Sequence, residues 1–186
     1  LDSRFTGFCF FDYYGNFGSF DKIKTIKNME FLKEHLKGGW LPVVEQFPKI
    51  FLEPSKYVQG VYDDFYKTEG ITQDQLVNLR YGFEHGIGWK DIVIGFCEDM
   101  QALADKAVAE GHTFQYKGCI IKEKFGQFTP QGDLEKSEGA WEIYRDEYYN
   151  ICRKWEEKSL TVCEVCGKDG KLHSTGWWKT RCDKHN

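Results

Sequence analysis

Three thiols and an imidazole near the end of the chain carry the clearest chemistry: Cys163-x2-Cys166, then fifteen residues, then Cys182-x2-His185. That is the ligand spacing of a small closed zinc site, in which Zn²⁺ takes four nitrogen or sulfur donors tetrahedrally. Four protein ligands leave no position for water, so the spacing predicts a structural ion rather than a catalytic one. The intervening stretch is polar, contains glycine and is too short for a core of its own, so metal must replace the missing core. His173 is a second imidazole in the same stretch and an alternative to His185 as the fourth ligand.

Immediately before Cys182 stand Trp177, Trp178, Lys179 and, after one threonine, Arg181. Aromatic faces beside positive charge are the composition used to stack on a base and hold a phosphate. The competing reading packs the tryptophan pair onto the helix that bears Trp155. Elsewhere the sequence offers little for catalysis. The acid pairs Asp63-Asp64, Glu98-Asp99 and Glu156-Glu157 are adjacent, so their carboxylates do not converge on one proton. His35, His85 and His112 lack partners at ligand spacing, and neither a metalloprotease His pair nor a serine nucleophile elbow is present. Lys122-Glu123-Lys124 reads as the solvated face of a strand. No catalytic residue is assigned, and the expectation is a binding protein rather than an enzyme.

The elements that must position these residues come from a chain of 186 residues, 41% hydrophobic and 17% aromatic, enough for one ordinary core plus a small appendage. No run of eighteen apolar residues and no charged-then-apolar leader occurs, so neither a membrane span nor a signal peptide is expected. Of seven cysteines the metal claims three. Cys9, Cys97, Cys119 and Cys152 are scattered without pair spacing, which favours a reducing compartment and buried thiols. Net charge is -4, which disfavours non-specific binding to a phosphate backbone. It is uneven: residues 151–186 hold eight basic against five acidic residues, a local +3 on a body of -7.

Residues 5–20 are aromatic and glycine-punctuated, reading as a strand or hairpin. Helical spacing predicts helices over 25–37 and 40–52, with Pro48 ending or kinking the second. The segment 60–70 fits either a short strand or an irregular connection. Thr72-x2-Gln75 is a capping box, predicting a helix from 73 to about 85 that Gly86 and Gly88 end. The strongest stripe is Ile92, Val93, Phe96, Cys97, Met100, Leu103, Ala104, Ala107 and Val108, a helix over 89–110 capped by Gly111. Alternation over 114–128, closed by Pro130, predicts a β-hairpin, and Ser137 starts a last helix whose Trp141, Tyr144, Tyr148, Ile151, Cys152 and Trp155 form a stripe. The expectation is α+β: a helical body over 1–157 with a small antiparallel sheet, and a zinc ribbon over 158–186 packed on the last helix with no flexible linker.

Gly39-Trp40-x2-Val43-Val44-x2-Phe47 and Gly88-Trp89-x2-Ile92-Val93-x2-Phe96 share one template, which reads either as a diverged duplication around 30–47 and 79–96 or as coincidence. In both cases Trp40 and Trp89 are expected as core pins. The Gly88-Trp89 helix, the Ile121-Lys122-Glu123-Lys124-Phe125-Gly126 strand, Cys163-x2-Cys166-Gly167 and Cys182-x2-His185 together resemble small tailed-phage and prophage proteins of unassigned function. The likeness covers roughly 86–186; the first 85 residues and the sequence after Gly126 depart from it. It offers no activity to transfer and implies a viral accessory protein in a bacterial host cytoplasm. Together with the closed metal site and the missing catalytic set, it leads to the expectation of a protein that inhibits or redirects a host or anti-phage defence protein through an acidic, aromatic-rich surface. Nucleic-acid or nucleotide binding through Trp177, Trp178, Lys179 and Arg181 is the alternative.

Overall fold

The structure is a computed structural model and describes residues 39–51 and 83–186. The sequence readings for 5–20, 25–37 and 60–70, and for most of 73–85, lie outside them. The chain is α+β. Among the described residues the elements run α1 (Leu41–Gln46), α2 (Pro48–Phe51), β1 (Phe83–Glu84), a 3-10 turn (Ile87–Trp89), α3 (Lys90–Ala109), β2 (Phe114–Lys124), β3 (Gln127–Lys136), α4 (Ala140–Ser159), β4 (Lys171–His173) and β5 (Lys179–Arg181). No helix among them is long and apolar enough to cross a membrane.

The α3 stripe is buried along its length except Val108, which the last turn carries out to solvent. Gly111 then takes the left-handed conformation (φ 83°), so His112 N–H can reach back to the Ala107 carbonyl at 2.8 Å. Helix α4 starts three residues later than expected. The Ser137 hydroxyl accepts from Thr113 N–H instead of capping, and Gly139 at φ 75° leads into Ala140. The two long helices lie against each other where Gly95 faces Trp155: a Cβ on Gly95 would sit 2.0 Å from the indole ring. Trp155 Nε1–H donates to Asp99 at 2.7 Å, and Lys154 binds the same carboxylate oxygen.

Two expectations about the sheet are corrected. It is mixed rather than antiparallel, because β1 runs parallel to β2 with Phe83 opposite Ile121 and Glu84 opposite Lys122. The end of the expected 73–85 helix is therefore strand. Phe83 stacks on Trp40 with ring centroids 4.2 Å apart, and Glu84 pairs with Lys122 across the strands at 3.3 Å. Secondly, Pro130 does not close the hairpin. It lies within β3, opposite Ile121, and the ladder continues to Phe114 opposite Lys136. β3 is an edge strand, where only one side needs N–H donors and proline is tolerated. Sequence alone located the break in the earlier segment correctly: α1 stops at Gln46 and α2 restarts at Pro48.

Trp40 and Trp89 are both buried, as are Val43, Val44, Phe47, Ile92, Val93 and Phe96 of the two Gly-Trp segments. Between Trp40, Phe83, Trp89 and Phe128 lies His85. Its Nδ1–H donates to the Gly86 carbonyl at 3.0 Å, while Nε2 is buried without a partner. Protonation would place a second N–H among aromatic rings. Burial accordingly pulls the pKa down from 6.5 to about 4, against the smaller opposing effect of the Gly86 bond. The unfolded chain takes up this proton first, so the stabilisation is complete above pH 6.5 and is lost as pH falls toward 4. From pH 7 to 4 the urea unfolding midpoint of wild type should fall relative to that of His85→Phe, because the variant lacks this proton-linked slope of up to about 1.4 kcal/mol per pH unit. Parallel curves would contradict the assignment.

Candidate metal centre

Helix α4 ends by being fastened to the sheet. Ser159 is buried, accepts from Phe128 N–H at 2.9 Å and donates to the Glu156 carbonyl. Four residues on, the chain makes its first knuckle: Cys163 N–H donates to Lys168 O at 2.7 Å and Gly167 N–H returns to Cys163 O at 2.9 Å. Gly167 stands at φ 73°, a conformation that costs glycine little. The strands β4 and β5 pair antiparallel, and a second tight turn carries His185 N–H back to Cys182 O at 3.0 Å.

These turns bring Cys163, Cys166, Cys182 and His185 together, with all four ligand atoms within 4.8 Å of one another. His185 Nδ1 lies 3.2 Å from Cys182 Sγ and 3.5 Å from Cys163 Sγ, and Cys166 Sγ lies 3.8 Å from Cys182 Sγ. The set is compatible with one metal ion. His173 stands apart from it: its Nε2 contacts the Arg181 carbonyl at 3.2 Å, so the imidazole of the cluster is His185. Burial pushes the Cys163 thiol up, but hydrogen bonds from the backbone N–H groups of Cys182, Cys166 and Val165 and from His185 outweigh it and bring the pKa down to about 6. The site thus favours at least one thiolate, the form that binds metal.

The cluster is seated directly on the body through residues 86–89. Gly88 N–H donates to Glu164 O at 2.8 Å, and Trp89 Nε1–H donates to Val162 O at 2.7 Å from a ring buried in the core. A Cβ on Gly86 would fall 2.1 Å from Glu164 O; one on Gly88 would fall 2.4 Å from Cys163 O and 2.6 Å from Cys166 N. These glycines, expected only to stop a helix, permit a backbone-to-backbone approach. On the other side, the buried Thr180 hydroxyl donates to Gly126 O at 2.6 Å, joining β5 to the β2–β3 turn.

The other sequence candidates fall out differently. Trp178 meets Phe125 of that turn edge-on (6.1 Å, 76°), and Trp177 is 82% exposed, so the two are not packed as a pair onto the helix that bears Trp155. Arg181 serves its own module, pairing with Glu164 at 3.5 Å and donating to His185 O at 3.3 Å. Burial raises the Glu164 carboxyl pKa, and Arg181 offsets part of that rise. Lys179 begins β5 half-buried. Phe125 was not read from the sequence as a neighbour of Trp178; its signal there was an aromatic directly before the glycine of a hairpin turn. Of the four cysteines outside the cluster, Cys97 and Cys152 are buried in the core.

Comparison with protein families, with curated proteins and with solved structures gave no match.

The close approach makes a direct prediction. Gly88→Ala should lower stability by roughly 1–3 kcal/mol by overpacking and should weaken metal retention, because the added methyl pushes on both the Cys163 carbonyl and the Cys166 amide. Thermal melts and metal release to a chelator read the two effects. An unchanged release rate would show that the body and the cluster are not coupled here.

Proposed function

We propose that Cys163, Cys166, Cys182 and His185 hold a structural Zn²⁺ that closes the tail as a zinc ribbon. The observation that carries the reading is the spacing of the donor atoms. A tetrahedral zinc with Zn–S of about 2.3 Å and Zn–N of about 2.0 Å has edges of about 3.8 Å between sulfurs and about 3.5 Å between sulfur and nitrogen. Three of the six separations, 3.8, 3.5 and 3.2 Å, lie at or just below those values, and all six are within 4.8 Å. Three thiolates and an imidazole select zinc over magnesium or calcium, which prefer oxygen. With the shell filled by protein, the ion would shape the module and leave no site for an activated water.

The protein acts by binding rather than by catalysis, as a viral accessory protein that inhibits or redirects a host or anti-phage defence protein in the bacterial cytoplasm. The resemblance over 86–186 supports the viral class. An acidic, partly apolar surface supports a protein partner: along the outer face of α4, Ile143 (54% exposed) and Tyr149 (36% exposed) stand among exposed Glu142, Asp146 and Glu147. Arg145 lies 3.7 Å from Asp146 and Lys106 pairs with Glu147 at 2.6 Å, so three acids meet two cations and the face keeps a small acidic excess. Such a face complements a basic cleft with an apolar floor.

X-ray absorption at the zinc edge should give one zinc per chain with three sulfurs and one nitrogen, and Cys166→Ser should lose the ion to a chelator faster. A shell containing water oxygen would contradict the closed site. For the partner, affinity capture from host lysate should recover one stoichiometric protein with wild type and lose it with the Ile143→Arg, Tyr149→Ala double variant. Equal capture by both would remove α4 from the contact.

A further inference from the structure

We infer that the tip formed by the β2–β3 turn and Trp177–Lys179 binds single-stranded nucleic acid through stacking, a function that goes beyond the protein-partner reading and does not depend on it. Lys124 pairs with Gln127, so the hairpin turn is Phe125-Gly126 alone, and both residues have positive φ, 55° and 75°. Turns of this type take asparagine, aspartate or glycine at the first position, and a bulky aromatic there is strained. Core burial does not offset that strain, because Phe125 is 69% exposed and its ring meets only the edge of Trp178 among the described aromatics. Trp177, next to Trp178 in the chain, is the most exposed large hydrophobic residue described. Two segments some fifty residues apart thus meet at the surface through Phe125 and Trp178.

The platform is held in place. Thr180 Oγ1–H donates to Gly126 O, and the space where a Gly126 side chain would lie is filled by Leu172 Cδ1 at 2.4 Å and by the Lys179 backbone at 3.1 Å. Its charge is positive on balance, with Lys124 and Lys179 against Glu123, which has no ion-pair partner among the described residues. Glu123 accepts Gly126 N–H, Glu164 is paired with Arg181, and Asp183 is paired with Lys171 at 2.9 Å. Lys124 and Lys179, adjoining the rings, have no ion-pair partner among the described residues. Open aromatic faces beside unneutralised cations match planar bases strung on phosphates. A duplex hides its base faces, so the ligand is a single strand, recognised with little sequence preference.

Fluorescence anisotropy with labelled oligo-dT, oligo-U and a DNA duplex, on the zinc-loaded full chain, tests this. Single strands should bind more tightly than duplex, and affinity should fall with salt. Trp177→Ala and Phe125→Asn should each weaken binding by about tenfold. Asparagine accepts positive φ, so Phe125→Asn should keep or raise the melting temperature, separating lost stacking from lost folding. The α4 double variant should bind oligonucleotide like wild type, so failure of the protein-partner reading leaves this result readable. Flat titrations at low salt, equal binding by Phe125→Asn, or loss of a captured host protein in that variant with no oligonucleotide binding by wild type would each overturn the inference.

Discussion

The structure depends on a short stretch of backbone, residues 86–89, lying in van der Waals contact with the first cysteine knuckle. Gly88 N–H, Trp89 Nε1–H and the missing side chains of Gly86 and Gly88 hold 162–167 against the body. After α4 the tail buries little of its own: Cys163, within the donor cluster, and Thr180, bonded to Gly126 O, are fully buried, and Val162 packs part-buried on the core. Its shape therefore comes from two sources acting together, the cluster of donors that draws its ends inward and the body surface that its backbone touches. Trp89 joins them physically, with its ring in the core and its one polar atom on the tail.

That arrangement turns an appendage into part of a surface. Because Thr180 and Leu172 close on the β2–β3 turn, Phe125 cannot be understood from its own hairpin. Its strained backbone and exposed ring make sense beside Trp178 and Trp177. The same docking engages Arg181 with Glu164 and the His185 carbonyl, while Lys179 and Lys124 have no ion-pair partner among the described residues. The outer face of α4, with Glu142, Asp146 and Glu147, differs from the tip at the β2–β3 turn in chemical character.

Much of this was legible in the sequence where periodicity or fixed spacing carries the information. The α3 and α4 stripes, the break at Pro48, the role of Trp40 and Trp89 in the core and the four clustered ligands follow from local patterns. What was not legible depends on residues distant in the chain. The parallel pairing of Phe83 with Ile121 has no local signature, and a capping box at Thr72 pointed to helix over the same residues. Gly86 and Gly88 look like helix stops until the neighbour that needs their bareness, Glu164 or Cys163, is placed beside them. Pro130 reads as a terminator because its tolerance on an edge strand depends on which strand lies at the edge. Trp178 has Phe125 of the β2–β3 turn as its neighbour, and nothing in spacing alone points to it.

Amide hydrogen exchange before and after chelation bears most directly on the coupling between donor cluster and body. The account predicts that removing the ion speeds exchange across 163–185 and at the Gly88 and Trp89 backbone amides, while α3, β2, β3 and the first turns of α4 keep their protection. Unchanged protection of the tail after the metal is gone would show that the cluster does not hold the module, and the account would fail.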